Sequence, residues 1–459
     1  MKRRIPFFAL LLFFLSLPGL AQGAEILFEE LVTVGSDEFS VGWHTSEPVV
    51  SEIVYGLDPE NMDQSMMGDT PTRDHCLLVE DLHPDKEYYY SVLVDGEPQE
   101  GDRFLSPGVV RTLVEPPGAF LFSFATINDT HIGEEIAGLI VIGDLVLTPG
   151  FTWDDPQNPY WLFTNRQAVQ QINEAGVDFT IHKGDVTADA AHEQYLDAID
   201  IFGELAAPIY YLRGNHDRVQ HGEDYFVQDL GMESTHYYFD YEGLRFIIMD
   251  SNNESGSGNV SDDQIYWLEQ TMQDAAENDL RTMLFAHHPF VRQGAPFWMV
   301  NRQDAKAIAD ILIQQPKFDG MFAGHSHRAK VLHDAEIGDA PFVETPATKE
   351  YPMGYAVYRV YEGGYTQSFY RTTCPECLEW ARMTRGEYFG LAPAILIGSA
   401  EDRNFTYLYP DWAGDDDEDD DSENDDDSEN DDDSEDDDND DGQLPTGDDD
   451  DEDDDGCGC

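Results

Sequence analysis

The sequence predicts an α/β fold preceded by a small β-rich domain, and three observations carry that expectation. Five short apolar runs, at 120–127, 177–181, 208–212, 283–286 and 318–323, read as buried strands. Helical patterns fall between them: over 162–175 with a stop at Gly176, around Ile265, Trp267 and Leu268 after a Ser261/Gln264 capping box, and over 305–312 before Pro316. Each apolar run is followed at once by a polar cluster, and in open α/β sheets ligands gather at the carboxyl ends of strands.

Taken in order, residues 1–23 carry Lys2, Arg3 and Arg4, an apolar stretch over 5–17, and small residues at Gly19, Ala21 and Gly23. That pattern is a secretory signal peptide, and its apolar stretch is shorter than the ~20 residues that span a bilayer. The mature protein is therefore expected to be secreted, periplasmic or at the cell surface, with no transmembrane segment. Over 25–114, short alternating runs such as 39–43 and 88–92 are broken by Gly, Pro and Asp, the pattern of a small β-sandwich. Pro116 and Pro117 mark a linker. The catalytic domain is expected over 119–410. It includes a long segment after His131 with Trp153 and Trp161, read either as a hydrophobic lid or as an excursion packed on the sheet. A strand is expected at 246–250, and β pattern returns at 355–361 and 365–371.

From 413 to 459 the chain is an acidic tail, with 29 acidic and no basic residues between Asp415 and Asp455, and it is expected to be disordered. Subtracting those 29 charges from the net −69 leaves −40, so the folded body is strongly acidic as well. Direct binding to nucleic acid or anionic membranes is not expected, because phosphate backbones are bound by Lys and Arg. The tail could hold Ca²⁺ through its oxygens or serve in surface attachment. Of five cysteines, Cys374 and Cys377 suit a local disulfide, Cys76 is read as free, and Cys457 and Cys459 end the chain.

The polar clusters are Asp129-Thr130-His131, Gly184-Asp185, Gly214-Asn215-His216-Asp217, His287-His288-Pro289 and Gly324-His325-Ser326-His327. Imidazole and carboxylate together hold Zn, Mn, Fe or Co, and a shared carboxylate can bridge two cations. Such a pair lowers the pKa of water toward about 7 and clamps the attacking and leaving oxygens of a phosphate ester. Singly each cluster is weak; Gly143-Asp144 also follows an apolar run and is a decoy. Five in order are not weak.

In that order the clusters resemble the calcineurin-like metallophosphoesterase superfamily, whose pattern runs D-x-H, G-D, G-N-H-D/E, H, G-H-x-H. The resemblance implies a four-layer α/β/β/α sandwich and two transition-metal ions, divalent or mixed-valence. It implies one metal on Asp129, His131, Asp185 and His327, and a second on Asp185, Asn215, His287 and His325, with Asp185 bridging. It also implies that Asn215 and His216 contact the phosphate, that His216 is proton donor to the leaving group, and that Asp217 orients it. His288 either faces the substrate or packs, and Arg213 and Arg328 either hold a phosphate oxygen or are structural. The segment around Trp43, Thr45, Pro48 and Val54-Tyr55-Gly56 resembles the amino-terminal domain of purple acid phosphatases, and Leu82-x-Pro84-x-x-x-Tyr88 the tyrosine corner of fibronectin type III domains. The metal-site pattern departs from purple acid phosphatases, with Ala188 in place of their tyrosine and His131 in place of their glycine.

The expected function is thus a secreted, metal-dependent phosphoesterase acting on small phosphate esters, leaning toward monoesters. The alternatives are a phosphodiesterase acting on nucleotide or glycerophosphodiester substrates, and a calcium-binding surface attachment protein with a vestigial site. A redox role for Cys374 and Cys377 lacks a supporting thioredoxin-like pattern.

Overall fold

In the computed structural model, residues 23–99, 107–139, 141–142, 145–252, 258–290, 299–333 and 339–412 are described. The expected signal peptide, the acidic tail with Cys457 and Cys459, and the decoy Gly143-Asp144 lie outside them.

The catalytic portion is a mixed α/β fold built on two six-stranded sheets. In the first, Ile209–Tyr211, Phe179–His182 and Phe120–Ile127 run parallel, and Gly354–Tyr361, Gly364–Arg371 and Phe405–Leu408 continue it antiparallel. In the second, Leu244–Met249, Arg281–Ala286, Phe318–Ala323 and Phe342–Glu344 run parallel, with Tyr237–Tyr241 and Lys330–Leu332 as antiparallel edges. All five apolar runs read from the sequence are strands, because each is a near-continuous hydrophobic stretch suited to burial on both faces.

Three apolar cores explain how the sheets stand. Phe122, Phe124 and Phe179 of the first sheet meet Phe246, Phe285 and Phe322 of the second. Phe124 stacks on Tyr358 and Phe179 at centroid separations of 4.5 and 5.2 Å and meets Phe246 edge-on at 5.3 Å. Each such contact adds about 0.5–1.5 kcal/mol beyond burial. A second core packs Ala168, Val169 and Ile172 of helix Tyr160–Ala175, and Tyr195, Ala198 and Ile201 of helix His192–Phe202, against the first sheet. A third packs Leu268 and Met272 of helix Asp262–Glu277, and Ile308 and Ile311 of helix Arg302–Leu312, against the second.

The helix signals are partly as expected. Gly176 closes its helix in the left-handed region, at φ 67°. Ser261 caps Gln264 N, but the Gln264 side chain clasps the backbone of Asp250 rather than completing a capping box. The segment after His131 is divided. Ala137 and Phe151 pair through their backbones, and Phe151 and Trp153 pack with Phe163 and Trp380, whereas Ile136, Leu139 and Leu147 are exposed.

Between residues 26 and 111 the strands join in one network in which the long strand Phe39–Gly56 pairs with Ile26–Val34, Gln64–Val79 and Glu87–Val94. Trp43, Phe39 and Tyr90 fill its core. The Tyr88 hydroxyl accepts from His83 N at 3.1 Å, which pins the chain ahead of its strand. This sheet is fastened to the catalytic portion. Glu30 accepts from Tyr351 Oη at 2.7 Å, Arg385 Nε at 2.8 Å and Arg371 Nη2 at 3.0 Å. Cys374 and Cys377 form a disulfide at the start of helix Pro375–Thr384, and Cys76 is free.

Candidate metal centre

The parallel strands of both sheets deliver their carboxyl ends to one place. Asp129, Asp185 and Asn215 follow strands of the first sheet, and His287, His325 and His327 follow strands of the second. The loops that turn the side chains inward are strained. Asp129, His131, Asp185, His325 and His327 all take positive φ, between 41° and 65°, a region that non-glycine residues rarely occupy. Strain of about 1–3 kcal/mol at each persists only where the surroundings impose it, and it concentrates at functional sites. Gly184, at φ 90°, is required: a Cβ there would lie 2.7 Å from His287 Nδ1 and 2.9 Å from Gly214 N.

Three groups emerge, each with ligand atoms within 4.8 Å of one another: Asp129, His131 and His327; His131, Asp185 and His216; and Asp185, His287 and His325. Asp185 Oδ2 lies 3.4 Å from His131 Nε2 and 3.1 Å from His287 Nε2, so it stands between the groups. His327 Nε2 is 3.1 Å from Asp129 Oδ1, and Asn215 Oδ1 is 3.2 Å from His287 Nε2. All seven expected ligands therefore converge.

The imidazoles are set with one nitrogen turned in. His287 Nδ1 donates to Lys183 O at 2.8 Å, His216 Nδ1 to Ala188 O at 2.6 Å and His327 Nδ1 to Glu350 Oε1 at 2.6 Å. Each contact fixes the tautomer and leaves Nε2 facing the cluster, the usual preparation of a metal-binding histidine. Electrostatics agree. Against the lowering effect of burial, the Asp185 and Asp129 carboxylates push His287 up to about 9, and the Asp129 and Glu350 carboxylates push His327 well up, so the site draws positive charge onto itself. Burial and the neighbouring imidazole of His287 hold His325 down to about 3, in its neutral form. Neither ring nitrogen of buried His131 makes a close hydrogen bond: Nε2 lies 3.4 Å from Asp185 Oδ2 and Nδ1 3.4 Å from Glu134 Oε1. Cations among these nitrogen and oxygen donors would satisfy the inward-facing Nε2 of His131 and supply the missing charge, and the donor set fits Zn, Mn, Fe or Co.

Of the remaining expectations, one is corrected. Asp217 does not orient His216. Fully buried, it accepts from Val186 N and Gly214 N through Oδ2 and from Thr187 N, Thr187 Oγ1 and Tyr195 Oη through Oδ1, so it braces the Asp185 loop. Burial, and then the Asp185 carboxylate, push it up to about 6 against those donors. Arg213 Nη2 donates to both oxygens of Asp224 at 2.7 and 2.6 Å and its guanidinium lies over Phe226. Arg328 is likewise held by Glu344, at 2.7 and 2.8 Å. His288 shares a contact of 2.9 Å between Nδ1 and Ser251 Oγ, its Nε2 is buried without a partner, and its ring is 4.4 Å from that of His325. His182 is structural, held by Thr130 Oγ1 at 2.9 Å. His192 faces Asp229 on the surface.

Sequence reasoning missed Asn128, which donates to Asp129 Oδ2 at 2.6 Å, and Lys183, whose ammonium is tied to Ala323 O and Thr345 Oγ1. It also missed Glu350. The first two adjoin predicted ligands, and that adjacency was the available signal.

A family model described as calcineurin-like phosphoesterase matches residues 122–329. Among curated proteins, the chain is 29% identical over 228 residues to a probable cyclic nucleotide phosphodiesterase of Fibrobacter succinogenes, covering 49% of this chain and 78% of that protein. It is 26% identical over 224 residues to the glycerophosphodiester phosphodiesterase GpdQ of Enterobacter lignolyticus, covering 47% and 76%. Against the 3′,5′-cyclic adenosine monophosphate phosphodiesterase CpdA of Pseudomonas aeruginosa the figures are 27% over 181 residues, covering 38% and 61%. Of solved structures, a dimetal phosphatase from Danio rerio aligns with a TM-score of 0.45 at 15% identity, covering 63% of this chain and 100% of that one. A purple acid phosphatase from yellow lupin aligns at 0.40 and 13%, covering 75% and 72%.

Proposed function

We propose that this chain, a metal-dependent phosphoric ester hydrolase whose residues 122–329 are of the calcineurin-like phosphoesterase family, cleaves small phosphodiesters. In this reading Asp129, His131, Asp185 and His327 hold one cation, and Asp185, Asn215, His287 and His325 the other. Bound there, the pair would supply Lewis acidity and water activated near neutral pH. The protein's own residues do the rest. Asn215 and the Nε2 edge of His216 meet the phosphoryl oxygens, and His216 in its imidazolium form, with Nδ1–H held by Ala188 O, passes the Nε2 proton to the departing alkoxide. His288, with Nε2 buried and Nδ1 held at Ser251, lines the substrate side of His325.

One observation favours diesters: among the described residues, four of the cations around the ligands are already committed. Arg213 is bound to Asp224, Arg328 to Glu344, Lys183 to backbone and Thr345, and Lys349 to Glu134. A dianionic monoester needs more positive charge than a monoanionic diester, and these side chains do not offer it. The names of the relatives point the same way. The monoester reading, which rests on the amino-terminal domain, stands second. We further infer export, from the basic and apolar pattern of residues 1–23, and a helix–sheet–sheet–helix layering of the domain behind a β-sandwich.

The test is a panel of matched mono- and diesters assayed after chelation and reconstitution with Mn, Zn, Co or Fe. Diester turnover restored by metal, with kcat/KM above that of the matched monoesters, is expected. Preference for the monoesters would overturn the substrate class, and activity indifferent to chelation would overturn the mechanism.

A further inference from the structure

Behind the metal centre lies a chain of buried charge that the proposed reaction does not use. His131 Nδ1 is 3.4 Å from Glu134 Oε1, and on the other side His327 Nδ1 is 2.6 Å from Glu350 Oε1. Between the two carboxylates sits Lys349, 3% exposed, with its ammonium 2.5 Å from Glu134 Oε2 and 3.5 Å from Glu350 Oε2. Tyr160 Oη donates to Glu134 Oε2 at 2.7 Å, and Trp380 Nε1 donates to Lys349 O at 2.8 Å, so both ends of the bridge are anchored in the apolar core around Trp380. Tyr351, directly after Glu350, is tied to Glu30 of the amino-terminal sheet. Glu387, 1% exposed, adjoins Glu350, and burial and that carboxylate push its carboxyl well above the usual range.

We propose that Lys349 is a positioning residue for one cation: its ammonium locks Glu134 and Glu350, the carboxylates that face the Nδ1 edges of His131 and His327. The inference rests on the metal-site reading above and deepens it. The charges require such a role. An unpaired buried carboxylate is costly, and two of them facing one another across Lys349 repel. Lys349 compensates them together and holds both carboxylates in place, and a fixed acceptor at Nδ1 keeps its histidine turned with Nε2 toward the metal centre. The bridge touches one side only. His287 is held by a backbone carbonyl, and His325 belongs with Asp185 and His287, so the second cation's ligands depend on neither Glu134 nor Glu350. Lys349, Glu350 and Glu387 lie outside the stretch matched by the family model.

The experiment compares full-length wild type, Lys349→Met, Lys349→Arg and Glu134→Gln. Metal per chain is measured against graded chelator, with thermal unfolding of the metal-free proteins alongside. Lys349→Met and Glu134→Gln should each weaken one cation by about 10–100-fold while the other is retained as in wild type, the range seen when partners of metal-binding histidines are removed. Lys349→Arg should recover part of the loss, and excess metal should recover turnover in both weakened variants. If Lys349→Met fails to fold, Glu134→Gln, which keeps the ammonium beside Glu350, carries the test. Equal loosening of both cations, or a lowered unfolding temperature with metal affinity unchanged, would overturn the proposal. A wild-type chain that retains no transition metal would overturn the phosphoesterase reading itself, and the proposal with it.

Discussion

Replacing His216 with alanine separates chemistry from metal binding. The backbone N–H of His216 donates to Asp185 Oδ1 at 2.7 Å, and that contact survives loss of the side chain. The ring is anchored by the Ala188 carbonyl and lies 4.4 Å from the ring of His131, within ligand distance of Asp185 and His131 but outside the two proposed ligand sets. Removing it should therefore leave metal content intact. A positioned general acid contributes about 10²–10⁴ in rate, which corresponds to about 2.7–5.4 kcal/mol of barrier. The size of the loss should depend on the departing group. A nitrophenolate leaves without a proton, so the loss should fall near the lower bound, whereas an alkoxide needs one and should show the upper. The assay is kcat for a bis(nitrophenyl) and an alkyl phosphodiester, each normalised to metal per chain. Equal losses for the two leaving groups, or a fall that tracks metal content, would refute proton donation by His216.

Arg213→Met should lower stability by roughly 1–3 kcal/mol, because it strands the partly exposed Asp224, and should leave KM near wild type; a raised KM with unchanged unfolding would restore Arg213 as a substrate contact. Replacing Cys374 and Cys377 by serine should lower stability by about 2 kcal/mol, the chain-entropy value for so short a loop, with turnover unchanged. Activity that responds to thiol reductant would instead give the pair a redox role.

The strands and the converging ligands were legible in the sequence because both are local signals. Phe120–Ile127 and Phe318–Ala323 coincide with their apolar runs, and Asp129 and His325 stand directly after the two strands that carry them. Side-chain direction was not legible. Asp217 and Arg213 flank the Asn215-His216 pair in sequence, yet one turns back to the Asp185 loop and the other toward Asp224. The Lys349 bridge was further out of reach, since it joins Glu134 to a residue 215 positions away. A Lys-Glu pair reads as a solvated surface until the fold buries it. Its one hint was composition: Lys349-Glu350 is a charged pair between the apolar run at 340–343 and the strand Gly354–Tyr361.

The central claim is a pair of cations sharing the Asp185 carboxylate, and metal content of Asp185→Asn tests it most directly. Asparagine keeps the volume and can still accept from His216 N, but it removes the charge that faces both His131 and His287. After reconstitution and gel filtration, wild type should retain two transition-metal ions per chain and Asp185→Asn should retain neither at full occupancy. Two ions held by the variant as firmly as by wild type would contradict the account.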